Sequence, residues 1–539
     1  MPFSVDTIFQ RYETAKGDRQ NFDWHWQEVA DLVLPTRDFT IEDSPAGNQR
    51  RNFIFNETAP AANESLSAAL HGFMSNTALR WFGIVLTNNE LNRDREVQAW
   101  LYAATNIMLS FFNSPVSGWA THSHEVYLDL GAFGTGVMLM RESRNRFKFQ
   151  ARQLSNMYVI EDDEGVITDF YRIFEMTNRD IVTTFGDANP GPSQKIIDAA
   201  NDTKSAGQKC KILHAVIKND ERDPTSPGVG GMEWASFYLE VAEKSPLSQG
   251  GFRETPYLLP RWSKAPEEVY GRGPAMTVLP AIKTVNAMDR DILVASEQAV
   301  RPPVNVFANS LEGPISTKPG SINYIRSGTR EMPEPMKLGV RPDLGDKVVE
   351  RHEARIEEAF FLDTLRLPDR DRMTAEEIIT RRQQGLIKAS PVMSRVIAEF
   401  LSIAIKRVFN WHLRTGRFPP MPSQLENRKL DITYNSPMAA SQKQAEAQAI
   451  QQSIVQMTPL IQADPTIMLN VDGDEAFRAT WVNMGADPKL LRDPREVTRL
   501  RVAMTEQAAL AEQAAATRDF AAAGKSAAEA TGIAGRIGA

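Results

Sequence analysis

Residues 270–303 read YGRGPAMTVLPAIKTVNAMDRDILVASEQAVRPP, and the fold turns on how this stretch divides. Gly273 followed by Pro274 opens a helix, because proline fits the first helical turn, where its missing N–H would have no partner anyway. The helical pattern covers Pro274 to Val300, with Pro280 near its start, and Arg301-Pro302-Pro303 stops it. A segment rich in Pro, Gly and Ser continues to Pro342, with short β runs at Val304–Phe307 and Ile322–Ile325. A second helical pattern spans Leu344–Leu362. Helix, small β-containing insert and helix in that order predict an insert protruding from a pair of packed helices.

Upstream, the first 135 residues read mostly as helices. Ile8, Tyr12 and Ala15 give one apolar face, and Trp24, Val29 and Leu32 give another before Pro35. Thr58 reads as the N-cap of a small-residue helix ending near Leu79, and a further helix covers Glu96–Phe112. Between Gly136 and Lys264 the character is β-rich, with runs at 136–140, 147–152, 157–161, 167–174, 211–217 and 237–241. Asp162-Asp163-Glu164-Gly165 reads as a hairpin turn, and Asn178 as the cap of a short helix.

Downstream, a polar loop at Thr364–Arg372 precedes helices over about Met373–Gln384 and Pro391–Arg414. Thr374 reads as the cap of the first, with Glu377 at capping-box spacing. A strand-like Leu430–Tyr434 comes next, and the rest is almost wholly helical. From Ala503 onward 15 of 37 residues are alanine. Such a tail has high helix propensity and little side chain to bury, so it needs partners, and copies of itself would serve.

The 539 residues are too many for one ordinary domain. The single cysteine, Cys210, has no internal disulfide partner, which fits a reducing compartment. The N-terminus has no basic region followed by an apolar one, and no apolar run approaches bilayer-spanning length, so a soluble protein is expected. A formal net charge of −7 disfavours a protein that grips DNA through phosphate neutralisation. It does not disfavour a conduit, where tight phosphate contacts would act as a brake.

Enzymatic patterns are present only as fragments. Gly524-Lys525-Ser526 matches the end of a phosphate loop, but Asp519 stands where its first glycine belongs. Gly134-Thr135-Gly136 follows a helix and opens a strand, the reverse of the dinucleotide fingerprint, and Gly271-Arg272-Gly273 also lacks a third glycine. His122 and His124 have no further ligand at metal spacing, and Asp472-Gly473-Asp474-Glu475 is only a piece of a calcium loop. Asp369, Asp371, Glu376 and Glu377 form an acidic cluster, but Arg366, Arg370 and Arg372 interleave with it, as in a solvated mixed-charge loop. No catalytic residue, cofactor or metal is expected.

Four segments, in chain order, resemble the portal family of short-tailed bacteriophages, the podovirus head-to-tail connectors. They are Phe133-Gly-Thr-Gly-Val-Met-Leu139, Tyr270-Gly-Arg-Gly-Pro274, Arg372-Met-Thr-Ala-Glu-Glu-Ile378 with Arg381, and Ile432-Thr-Tyr-Asn-Ser-Pro-Met438 with Ala440 and Gln442. The third is the most specific. The resemblance implies an α+β, mainly helical chain with the portal fold, assembling as a ring of about twelve subunits around a channel. On that plan 1–270 is wing, 271–300 a stem helix, 301–342 clip, 343–363 the second stem helix and 364–372 a channel loop. Residues 373–436 return to the wing, and 437–539 form the crown and Ala-rich C-terminus.

The family role is a conduit for DNA packaging and ejection at the unique capsid vertex of the virion, assembled in the host cytoplasm. Its partners would be the terminase, tail adaptor and tail tube proteins, capsid, scaffold and internal core proteins, and the double-stranded DNA in transit, with no membrane. Arg366, Asp369, Arg370 and Arg372 would face the channel. Residues 343–363 carry a balance of −4 and 301–341 a balance of +3. An acidic helix lining the lumen would repel phosphate, while Arg326, Arg330 and Lys337 of the clip would engage DNA or an acidic partner. The alternative is that these charges pair between subunits. Competing readings are another virion structural protein, such as a scaffold or internal core protein, and a DNA-processing enzyme. The β-rich 136–264 region disfavours a scaffold, and the missing phosphate loop disfavours a motor.

Overall fold

The structure, a computed structural model, describes residues 4–39, 53–76, 80–86, 91, 94–143, 146–226, 228–306, 314–315, 324–325, 334–335, 342–362, 390–425, 432–435, 437–484, 486 and 490–534. It is mixed α and β, mainly helical, and divides into two units. One combines Met1–Trp81 with Met108–Arg417, and the other Phe82–Ile107 with Phe418–Ala539.

In the larger unit, helix α1 spans Val5–Val33. Ser4 caps it by accepting from the Thr7 N–H at 3.2 Å, and Asp6 sits in the positive first turn. Ile8, Tyr12 and Ala15 are buried as expected. Trp24 is not: it is 66% exposed, and Trp26 takes the core position, ringed by Phe22, Phe39 and Tyr270. α2 covers Thr58–Met74. Thr58 is its first residue rather than its cap, because the Asn56 side chain already accepts the Thr58 N–H at 3.0 Å. The helix stops at Met74, earlier than expected, with the Ser75 N–H returning to the His71 carbonyl. α3 spans Arg95–Asn113, of which 95–107 belong to the smaller unit, and α4 spans Trp119–Phe133.

Five antiparallel strands form the main sheet in the order β4–β5–β6–β7–β8: Met157–Glu161, Ile167–Thr177, Lys209–Lys218, Trp234–Glu240 and Pro246–Phe252. Gly165, at φ +79, closes the expected β4–β5 turn, its N–H donating to the Asp162 carbonyl at 2.9 Å. Period-two alternation divides the faces. Tyr171, Leu213, Ala215, Ala235, Phe237 and Leu239 pack on Ile8, Phe9, Tyr12 and Ala15 of α1. On the opposite face, α5 (Asn178–Phe185) and α6 (Gln194–Asn201) bring Ile181, Phe185 and Ile196 onto Ile212 and Leu247. The cap of α5 is Thr177, which accepts from the Asp180 N–H, and Asn178 is the first helical residue. Its side chain instead ties the loop carbonyl of Ser205 at 2.9 Å.

The rest of that opposite face looks towards a three-stranded sheet, β3–β2–β9, of Phe147–Ala151, Met138–Glu142 and Tyr257–Leu258. An aromatic cluster of Phe112, Trp119, Phe147, Phe149, Phe400 and Trp411 packs there. The expected 391–414 helix is interrupted. Ile397–Leu401 is a π turn, followed by an α-helix over Ser402–Arg414.

The smaller unit has one antiparallel ladder, β1 (Gly83–Leu86) with β12 (Ile432–Asn435). Trp100 of α3 donates to the Pro419 carbonyl at 3.1 Å. Helices follow over Pro437–Ala463, Gly473–Asn483 and Pro494–Ala534.

Candidate functional site: the helical arm and its anchor

The two glycine motifs, far apart in sequence, form one junction. Gly134 ends α4 in the left-handed conformation, φ +71, with its N–H on the Leu130 carbonyl at 3.0 Å. A Cβ there would stand 2.2 Å from the Gly273 nitrogen; one on Gly271 would stand 2.3 Å from the Gly134 oxygen. Only glycine allows this backbone-to-backbone approach. Hydrogen bonds close it: Trp262 N–H to the Gly134 carbonyl at 2.8 Å, and Gly271 N–H to Thr135 Oγ1 at 2.9 Å. Here α7 (Pro274–Val300) departs, its first residue following Gly273.

Beside the junction Arg261, 5% exposed, gathers the neighbouring elements. Its guanidinium reaches Glu161 of β4 at 2.7 Å and Glu399 of the π turn at 2.9 Å, and its own N–H donates to Glu399 at 2.9 Å. Lys264 shares Glu161. Burial opposes the charge on Arg261, but the bonds and charges of Glu399 and Glu161 outweigh it and hold the pKa above the usual arginine value. The extra residue of a π turn re-aims its side chains, and here Glu399 lands on Arg261.

α7 is buried at Leu279, Ile282 and Val285, and exposed beyond. Its partner α8 spans Pro342–Ala359. The Leu344–Leu362 expectation overshoots, because Phe361 turns at φ +60 while Phe360 and Leu362 enter the core. Between the helices, Val304–Asn305 (β10) pairs antiparallel with Glu334–Pro335 (β11), so the insert returns upon itself.

One short segment staples both helices to α2. Asn56 donates to Asp289 of α7 and to Glu353 of α8, both at 2.8 Å, and Thr58 Oγ1 donates to Glu353 at 3.0 Å. Asn286 completes it, accepting from the Phe55 N–H at 2.7 Å and donating to the Phe53 carbonyl at 2.9 Å. Further out, Ile292 packs on Gly345, where a Cβ would come within 3.0 Å. Leu293, Val294 and Val300 are 57%, 48% and 80% exposed. The arm is therefore fixed at its root and carries apolar side chains that the described residues leave exposed.

Residues 5–491 match the family described as bacteriophage head to tail connecting protein. The chain belongs to that family. It is 26% identical over 513 residues to the probable portal protein of Bordetella phage BPP-1, covering 93% of this chain and 91% of that one. It is also 26% identical over 515 residues to the portal protein of Salmonella phage epsilon15, with the same coverage.

Within this connector chain, the residues expected to face the channel (Arg366, Asp369, Arg370 and Arg372) and those expected on the clip (Arg326, Arg330 and Lys337) lie outside the described residues, as does the capping box at Thr374 and Glu377. The enzymatic fragments have structural employment. Gly524-Lys525-Ser526 lies within the helix Pro494–Ala534, not in a loop that turns amides towards a phosphate. His122 and His124 pair with Glu125 and Glu64, each at 3.2 Å. Asp472 caps a helix by accepting from Asp474 and Glu475 N–H groups, and Asp474 grips Arg501 through two 2.7 Å contacts. Among the described residues no group of three or more acidic, His or Cys side chains is placed to hold a metal, and no helix is long and apolar enough to cross a membrane. Sequence reading missed Asn56, Asn286, Arg261 and Glu399. Asn56, two residues before Thr58 and able to make an Asx turn, was the one local signal available.

Proposed function

We propose that this connector chain is one subunit of a ring of about twelve at the portal vertex, a conduit through which DNA is packaged and later ejected. The observation that carries the reading is the arm. α7 and α8 leave a body that fixes them through the glycine junction and the Asn56 staple, yet expose Leu293, Val294 and Val300. Apolar surface on a rooted element marks an interaction site, and in a closed ring the neighbour's arm covers it with no new partner needed. The segment after Pro437 favours the same reading, with Val455 and Met504 on its helices and Leu469 and Leu490 between them each more than two-thirds exposed.

In this assignment 271–300 and 343–363 are stem, 301–342 is clip, 364–372 is the channel loop, and 437–539 are crown, with the wing at 1–270 and 373–436. The portal fold supplies geometry rather than chemistry. The subunit is non-enzymatic, needs no cofactor, and docks a terminase during packaging and tail adaptors afterwards, in contact with capsid, scaffold and internal core proteins. Arg366, Arg370 and Arg372, with Asp369 among them, stand beside passing phosphate, while Arg326, Arg330 and Lys337 present a basic clip.

The test is the triple variant Arg366→Ala, Arg370→Ala, Arg372→Ala. Exposed charges contribute about 0–1 kcal/mol each, so particles should assemble normally by electron microscopy while nuclease-protected DNA falls severalfold. Normal packaging would remove the loop from the mechanism, and failure to assemble would make its charges structural.

A further inference from the structure

Where the five-stranded sheet faces β2 and β3, Arg172 of the sheet meets Arg141, Lys148 and Arg152 of β2, β3 and its flank with no acid to answer them. Arg172, His214, Tyr238 and Ser248 form one cross-strand row. His214 is 1% exposed, held between Tyr257 Oη at 2.8 Å and Ser236 Oγ at 3.0 Å, and its ring stacks on Tyr238 with centroids 4.0 Å apart. A cleft of about 450 Å³ opens beside it, lined among others by Arg141, Arg146, Lys148, Tyr238 and Phe252.

Arg152, which directly follows β3, donates through Nη2 to Gln150 at 2.5 Å, but its Nε is buried with no hydrogen-bond partner among the described residues. Among those residues no carboxylate pairs with Arg141, Arg146, Lys148, Arg152 or Arg172, and the one acid on the rim, Glu142, is already held by Arg414 at 2.9 Å and Arg407 at 3.8 Å. The guanidinium groups are close enough to repel. Burial first, then Arg172 and Arg141, holds Arg152 down to about 10, and burial with the same two arginines holds His214 down to about 3. Half-buried like charges are unfavourable unless something compensates them.

We propose that this cleft binds a phosphate monoester of nucleotide size, its phosphate between Arg141, Arg146 and Lys148, which line it, with Arg152 and Arg172 behind the wall, and its base against Phe252. Guanidinium forks match phosphate oxygens two at a time. A dianion neutralises three cations better than a single carboxylate does. The volume lies in the range of small-molecule sites, and the ring surface gives a base a flat apolar support. Neutral His214 braces the floor without adding to the repulsion.

Isothermal titration calorimetry on the full-length protein with dAMP tests this, beside inorganic phosphate, deoxyadenosine and a short single-stranded oligonucleotide. One saturable site per chain is expected for dAMP, weaker binding for phosphate and none for deoxyadenosine. Arg141→Gln and Arg146→Gln, both at exposed positions of the lining, should each weaken dAMP at least about tenfold, with both unliganded proteins folded as judged by their melts. No saturable heat with dAMP, equal affinity in both variants, or binding of the oligonucleotide alone would overturn the proposal.

Discussion

Gly134→Ala probes the junction from which α7 departs. At φ +71 an L-residue is strained by about 1–2 kcal/mol, and the new Cβ would lie 2.2 Å from Gly273 N and 2.3 Å from the Arg272 carbonyl carbon. Those are backbone atoms that cannot swing aside, so the helix start must shift, adding an overpacking cost of about 1–3 kcal/mol. Gly165→Ala is the matched control. Its φ is +79, but the nearest atom to a Cβ is the flexible end of Lys264 at 3.4 Å, so it carries the backbone strain alone. Urea melts followed by tryptophan fluorescence should show a loss of about 1–2 kcal/mol for Gly165→Ala and about 2–5 kcal/mol for Gly134→Ala. Only Gly134→Ala should also impair assembly, since only it disturbs the root of the arm. Equal losses in the two variants would refute the close approach.

Two buried groups give opposite pH dependences. His214 stays neutral in the fold to about pH 3, whereas the unfolded chain binds that proton near 6.5. Its contribution is therefore complete above pH 6.5 and is lost by up to about 1.4 kcal/mol per pH unit below it, and His214→Gln should flatten that loss in urea melts at pH 7 and 5. Asp129 behaves inversely: burial, opposed by Arg37 at 2.9 Å, raises its pKa to about 6, so stability rises as pH falls from 6 towards 4, and Asp129→Asn should abolish the rise. Glu399→Gln leaves Arg261 with Glu161 and should cost about 1–3 kcal/mol by the same melts; no loss would mean that the π turn does not bear on the junction.

Local chemistry was legible and tertiary choice was not. Pro274 and the Arg301-Pro302-Pro303 stop are written in adjacent residues, so that helix has the expected ends. Trp24 and Trp26 are two residues apart on one long helix, and only distant partners, Tyr270 and Phe133, decide that Trp26 is inside. Strand β8 was unread because Ser248-Gln249-Gly250-Gly251 has turn composition, and the ladder with β7 extends it regardless. Gly134-Thr135-Gly136 is legible as a passage from helix to strand and Gly273-Pro274 as a helix start, but that Gly134 and Gly273 touch is a property of packing. Glu399 could not be anticipated, since the 391–414 pattern reads as unbroken helix, whereas Glu399 meets Arg261 from within a π turn. The seven residues expected in the channel loop and clip lie outside the described residues, and their roles rest on the family plan.

Ring formation by the purified chain, without nucleotide or DNA, tests the central claim most directly. Negative-stain microscopy together with light scattering should give closed rings with a central hole and a mass about twelve times the 60.2 kDa chain. A stable monomer across micromolar concentrations, or open filaments, would contradict it.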